Sequence, residues 1–550
     1  MIKELIFNRI SSRTAANGLF LLSLFFLLRN ILKLGSLGFT GLIFGSLIPA
    51  IIFVAGLFIL KPEFLLNLDW GNLQAKISYK IIMGSSLGLF FLYYLLNTFS
   101  FDLHTPLMML LVFLSFAYLG MLYCQFSGKL DWAVYIFFIC FPLLNLAEYW
   151  MGIVADAFDY TIIFTPTVFF LLSLFIGIIM ASRKDKIILL FSQKAIFICL
   201  MVFLLSGLMS ALLSVSPDES LRQYIIRYVY PLMMFPIVFF SINTISKIKT
   251  FINTLIISYL MNVVIFFYMY QRYGKGFYNL IDVYTASISS GIASGILAIL
   301  ILFIFPLIVL MLFIEQKKHL RKGYLIISLL SIILLLITFS RSALISFFTG
   351  GLILVIIKRT WQLYCMLAFS IMILVLIFSL DIYSPAFNRY LTLGSGLKNT
   401  SWLARANAWG GAMRMIREYP VFGIGAGLWG KYVANYCPTQ YINLKITKSK
   451  WARGYILDPH NIFLSIYLET GLLGAICWLS LLIGTVSFAF YLILHKEPHF
   501  KHFLGLAYLL FIIINTTHHL SNSDLFGSVL FLYGCIFWGI QGMFIRSVSI

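Results

Sequence analysis

The sequence predicts an all-α, polytopic integral membrane protein with one long extracytoplasmic loop. Three observations carry that prediction. Of the 550 residues, 61% are hydrophobic and only 11% are charged, and mean hydropathy is +0.98, a balance no soluble domain sustains. The apolar residues fall in runs of about 18–25 with polar or charged flanks, the length of helix that crosses about 30 Å of hydrocarbon. Aromatic residues reach 17%, with 54 Phe and 30 Tyr, as lipid-facing helices and interfacial belts require.

Taken in order, the runs place spans at 14–34, 37–60, 77–98, 105–124, 132–150, 163–181, 187–213 and 223–241. The second half adds 250–270, 289–314, 323–340, 341–357, 361–380, 460–492, 500–517 and 523–545. The 14–60 pair also suits a re-entrant or interfacial course, so the expectation is about 14–16 transmembrane helices. The first is read as an anchored helix: Lys3, Arg9 and Arg13 precede the apolar run from Gly18, but no small-residue cleavage site leads into a soluble domain. The chain is expected to divide into N-terminal helices (1–185), central helices (186–380), a loop (381–459) and C-terminal helices (460–550). The last helix nearly coincides with the chain end, so no soluble C-terminal domain is expected.

Orientation follows from the short loops. Lys184 and Lys186, Lys247 and Lys249, Lys317 to Lys322, Lys358-Arg359 and Lys496 to Lys501 fall on one side, which the positive-inside rule makes cytoplasmic. Most of the formal charge of +20 is then loop charge, and no nucleic-acid partner is implied. Both termini fall inside. The loops 214–222, 271–288 and 381–459 face outward, and His518, His519 and Asp524 lie near the outer surface. The long outer loop carries ten basic residues against Asp381, Glu418 and Asp458, a net of +7. Long loops are exempt from the orientation rule, so the charge points to an anionic partner, either lipid headgroups or a substrate. Trp402, Ala406 and Trp409 recur at helical spacing beside Arg405, predicting a short amphipathic helix, Ser401 to Glu418, at the membrane surface. Pro420 ends it, and Gly423, Gly425 and Gly427 follow as a flexible or tightly packed turn.

The stretch after the loop opens a long apolar segment. Asp458 suits an N-cap and Pro459 the first helical position, which would put His460 and Asn461 in the first turn. At about 100° per residue, Gly471 and Gly474 then fall on the His460 face, where small residues admit a close neighbouring helix, while Glu469 points the opposite way.

Candidate chemistry is one-sided. The seven cysteines have no paired spacing, which argues against a disulfide framework or a metal site. The nearest carboxylate pair, Asp156 and Asp159, reads as solvated loop, so no metal is expected at a reaction centre. Arg222 stands at the start of a span with Arg227 one turn deeper, Arg341 sits between two apolar runs, and Arg405 faces the same compartment. Arginine's fork matches phosphate oxygens, and a neutral His takes a proton from a hydroxyl near neutral pH. Together they fit attack by an acceptor hydroxyl on a carbon whose leaving group is a lipid-linked diphosphate. His518 and His519 could contact the acceptor, act as the base, or simply form an interfacial pair.

Particular motifs then bear a resemblance. His460-Asn461, nine residues, then Gly471-x-x-Gly474 resembles the signature of the O-antigen ligase and O-antigen polymerase superfamily. Ser340-Arg341-Ser342-Ala343, Arg405 with Trp409, and Tyr419-Pro420-Val421-Phe422-Gly423-Ile424-Gly425 resemble it too. The likeness covers roughly residues 200–545. It implies an inverting, metal-independent, cofactor-free glycosyltransferase of the bacterial inner membrane, acting at the periplasmic face. The implied donor is a glycan on undecaprenyl diphosphate, and the implied acceptor a hydroxyl of lipid A core or of a growing polysaccharide. The family's base falls on His460 and its diphosphate-holding arginines on Arg341, Arg405 and Arg222, with Asn461, His518 and His519 as candidates for the acceptor site. The helices before residue 185 are extra relative to the family core. The rival reading is a lipid-linked glycan flippase or transporter. Such proteins carry charges or broken helices at the bilayer midplane, whereas the notable charges here are expected at the outer interface, with Arg29 and Glu148 as exceptions.

Overall fold

The computed structural model describes residues 104–157, 166–182, 191–273, 292–338, 340–358, 400–437, 459–494, 499–520 and 531–549. The spans expected at 14–98 and 361–380 lie outside these residues, as do Arg29, Asp159, Asp458 and Asp524 and the loop segment 438–458. The chain forms two compact units, residues 1–123 with 149–151, and residues 124–148 with 152–550. The second unit holds every candidate site residue.

The described residues are helical with short turns between the helices and no strand among them. In order they form α1 (His104–Phe126), α2 (Leu130–Ala157), α3 (Pro166–Ser182), α4 (Phe191–Leu212), α5 (Pro217–Tyr224), a one-turn π-helix (Ile225–Val229) and α6 (Tyr230–Ser241). There follow α7 (Ile245–Tyr273), α8 (Ile292–Ile314), α9 (Lys318–Ile337) and α10 (Arg341–Lys358). The remainder are α11 (Thr400–Glu418), α12 (Trp429–Tyr436), α13 (Ile462–Leu494), α14 (His499–His519) and α15 (Phe531–Ser547). Among the described residues, seven segments are long and apolar enough to cross a membrane: 192–212, 217–241, 245–265, 297–314, 318–336, 462–494 and 500–519.

In the second unit the core sits around α8, whose residues 297–312 are all buried. It packs on α7, α9 and α14, with Phe303 against Phe511 and Phe537 at ring separations of 6.0 and 5.9 Å. α13 runs along α4 and α14, α14 along α10, and α6 along α15 and α3. Lipid tails are as apolar as Leu, so these contacts are held by close packing and interhelical hydrogen bonds more than by exclusion of water. Ile198, Met201 and Leu205 on α4 and Leu473, Ile476, Leu479 and Ile483 on α13 stay exposed, the stripe a helix presents to hydrocarbon.

The span expected at 223–241 starts earlier and is not one regular helix. Pro217 at the first position, with Asp218 and Glu219 in the first turn, pre-sets the backbone and complements the helix dipole. The π turn follows, its closing N–H running from Tyr230 back to Ile225. Pro231, just beyond, has no N–H to return to Arg227, which favours a local change of hydrogen-bond register there.

Candidate functional site

The helix carrying the His460 motif begins later than its sequence suggests. Ile462 is its first residue, and Asn461 caps it: Asn461 Oδ1 accepts from the N–H groups of Phe463 (3.0 Å) and Leu464 (3.1 Å). The Asp458 cap and the first-turn placement of His460 and Asn461 are therefore not realised. His460 instead adopts a left-handed conformation, φ 51°, which costs a non-glycine residue about 1–3 kcal/mol. Asn461 holds it there, because its other amide end, Nδ2, donates to the Leu520 carbonyl at 3.0 Å. Both ends of the Asn461 side chain are thus committed to protein.

α13 is broken at Gly471, where φ is 72° and ψ is −173°. A Cβ there would lie 2.1 Å from the Val421 carbonyl oxygen, so the close neighbour is loop backbone rather than the helix expected. The loop repairs the break. Ile424 N–H donates to Leu468 O at 2.7 Å, and Leu472 N–H donates to Val421 O at 3.1 Å. Gly423, at φ +74°, makes this possible, since its Cβ would meet Leu468 O at 2.2 Å. The turn 423–427 is tightly packed rather than flexible, reaching Ser220 and Gln223 of α5 on its far side. Lys431 then pairs with Glu219 at 2.6 Å and donates to Ser216 at 3.0 Å. The loop is a clasp between α5, which carries Arg222, and α13, which follows His460.

α11 confirms the amphipathic helix, one residue longer at its start. Its apolar side is covered by protein: Ala412 and Met415 pack with Ile424, Trp429, Val433 and Leu468. Arg414 Nε donates to Tyr436 O at 3.0 Å, and Tyr436 donates to Glu418, a bond that, with burial and the Glu418 charge, holds the Tyr436 phenol above its usual range.

The last turn of α14 gathers the other candidates. His518 and His519 are 1% and 2% exposed, with ring centroids 5.2 Å apart, so they form a buried pair. His518 lies next to the backbone of Ser342, which follows Arg341, and within electrostatic range of Arg405. His519 Nδ1 bonds to the Asn515 carbonyl at 2.7 Å. Leu520, one residue on, is the anchor of Asn461. Residues 518–520 therefore bring together the His460 turn, Arg405 and the start of α10, which Arg341 opens; the Arg341 side chain is outside the described part. Arg222, half-buried on α5, is tied in from the other side through the clasp.

Residues 326–479 match the O-antigen ligase family. The matched residues include Arg341, Arg405, the clasp, His460, Asn461 and the break at Gly471, while Arg222, His518 and His519 lie outside them. The match supports the resemblance to the O-antigen ligase superfamily and, in general terms, a glycosyltransferase-type enzyme in a bacterial membrane whose substrates are a lipid-linked glycan and an acceptor. No curated protein matches the chain. Among the described residues no group of His, Cys, Asp and Glu is arranged to hold a metal ion.

Sequence reasoning missed one cluster. Glu469, read as pointing away, is 3% exposed and accepts from Arg227, itself 6% exposed, and from the Tyr228 hydroxyl at 2.7 Å. The pair sits within two candidate spans, 217–241 and 462–494. The available signal was an Arg and a Glu inside segments that are otherwise largely apolar.

Proposed function

We propose that the chain is an O-antigen ligase-like, metal-independent, inverting glycosyltransferase of the inner membrane. It moves a glycan from undecaprenyl diphosphate to an acceptor hydroxyl, on lipid A core or a growing polysaccharide, at the periplasmic face. His460 takes the hydroxyl proton, and the freed oxygen attacks the anomeric carbon from the side opposite the leaving group. The carbon–oxygen bond to the diphosphate breaks with inversion, and undecaprenyl diphosphate departs with the bonding electrons. Arg341, Arg405 and Arg222 neutralise its charge, as arginine forks do for phosphate oxygens. His518 and His519 border the acceptor.

The observation that carries this reading is the convergence at residues 518–520: the His460 turn tied to Leu520 through Asn461, with Arg405 within electrostatic range of His518 and the Ser342 backbone of α10 next to it. A His460→Ala variant is expected to lose transfer from undecaprenyl-diphosphate-linked glycan while staying folded in the membrane. Retained transfer would sink the reading. Chain-length analysis of surface glycan in a deletion strain separates the branches. Carrier-linked polymer absent from lipid A core means a ligase; single repeats mean a polymerase.

The broken α13 and the buried Arg227–Glu469 pair favour a second reading, a lipid-linked glycan transporter. Movement of lipid-linked glycan across liposomes by the purified protein, with no new glycosidic bond, would support it.

A further inference from the structure

Two helices reach the site interrupted. α5 and α6 are joined through the π-helix Ile225–Val229, and α13 is broken at Gly471. A π turn inserts about one extra residue and rotates the succeeding residues by about 100° about the helix axis. A break frees the two helix halves from a common phase altogether. The π turn stays hydrogen-bonded on both sides, so it sets a fixed offset between α5 and α6, whereas α13 does not fix by itself how its outer half is rotated against the inner half. Arg222 is on one outer half, and His460 leads into the other.

Arg227 is the middle residue of the π-helix, and Glu469 comes two residues before the break. They are joined to each other, and Tyr228 closes the cluster from the same π turn. All three are buried, Tyr228 completely. Ser206 on α4 adds a further fixed point by donating to Thr470 O at 2.7 Å. A charged pair is an expensive way to join two apolar helices, and apolar side chains of similar size commonly pack at least as well. What it adds is direction: two oriented hydrogen bonds fix rotation, where an apolar contact tolerates sliding.

We propose that Arg227, Tyr228 and Glu469 are positioning residues, setting the register of Arg222 against His460 by locking the outer half of the broken α13 to the π turn of the α5–α6 helix. The roles of Arg222 and His460 rest on the function proposed above, whereas the locking itself does not.

The test uses the full chain in detergent or nanodiscs. Glu469→Gln keeps the shape and an acceptor for Tyr228 but removes the charge. Arg227→Met with Glu469→Met replaces the pair by apolar side chains. The double variant is expected to keep the wild-type melting temperature yet lose at least tenfold in kcat, with donor KM within threefold, as a displaced catalytic geometry would give. In a cysteine-free background, spin labels at exposed Asp218 and Leu520 report α5 against the end of α14, to which Asn461 ties the His460 turn, without needing turnover. Their distance distribution is expected to be narrow in the parent and broad in both variants. A stable double variant whose kcat falls less than tenfold, or a distribution as narrow as the parent's, would overturn the proposal. If the double variant does not fold, Glu469→Gln is judged by the same two readouts. His460→Ala run alongside keeps the two ideas apart: active His460→Ala removes the glycosyltransferase reading, and the label distances still decide the locking.

Discussion

Gly471→Ala tests the threaded loop most directly. The added methyl would lie 2.1 Å from Val421 O and 2.7 Å from Phe422 C, backbone atoms that cannot swing aside. The φ of 72° with ψ of −173° is a conformation essentially confined to glycine and costs other residues about 1–3 kcal/mol. Relieving the clash means withdrawing the loop from the break. That loses the bonds Ile424 N–H to Leu468 O and Leu472 N–H to Val421 O, at roughly 1 kcal/mol each and more where the groups stay buried. The sum is about 3–5 kcal/mol. At about 2.1 cal/mol/K per residue over 550 residues, each kcal/mol moves Tm by roughly 1 °C, so the expected drop is about 3–5 °C. Differential scanning fluorimetry in detergent reads it, and glycan transfer is expected to fall at least tenfold as the His460 end of α13 loses its support. A variant with parental Tm and turnover would refute the threading.

Other expectations rest on single contacts. Asn461→Asp keeps an acceptor for the Phe463 and Leu464 N–H groups but turns a carboxylate toward the Leu520 carbonyl. Transfer should drop severalfold, and Tm should fall by an amount equivalent to about 1–3 kcal/mol, whereas a cap-only role predicts no loss of either. Gly410→Ala, whose methyl would find its nearest neighbour at 4.0 Å on Arg414, should stabilise α11 by about 0.5–1 kcal/mol through helix propensity, read as a small rise in Tm. The Cys437 thiol is pushed up by burial, with Arg414 opposing, so less of it is thiolate at neutral pH than for a free cysteine. Maleimide labelling there, followed by mass spectrometry, should be slow at pH 7 and accelerate as pH rises.

The helical membrane class, the described spans and the amphipathic helix before Pro420 were legible because each is written in local periodicity and flanking charge. The His460 motif was legible as a helix start, but its details were not. Asp458 and Asn461 are both good caps, and the choice between them is set by Leu520, 59 residues on. Asn461 alone of that pair has a donor to spare for that carbonyl. The helix break was invisible for the same kind of reason. Gly471 reads as a tolerated helical glycine unless one knows that Val421 to Ile424 arrive to exchange backbone hydrogen bonds with it. The Arg227–Glu469 pair spans 242 residues, and no spacing rule connects its members.

The break also bears on which of the two functional readings is stronger. Transporters use interrupted helices because the freed backbone groups can coordinate cargo. Here the groups freed at Gly471 are already engaged: Leu468 O by Ile424, Thr470 O by Ser206, and the Leu472 N–H by Val421. The Glu469 charge beside them is met by Arg227 and Tyr228. A break whose polar groups are taken up by the protein itself offers little to a passing ion or glycan. It does offer a fixed seat for the clasp, which reaches from α13 to the helix bearing Arg222. The interruption therefore makes better sense as scaffolding for a reaction centre near His460 than as a station on a transport path.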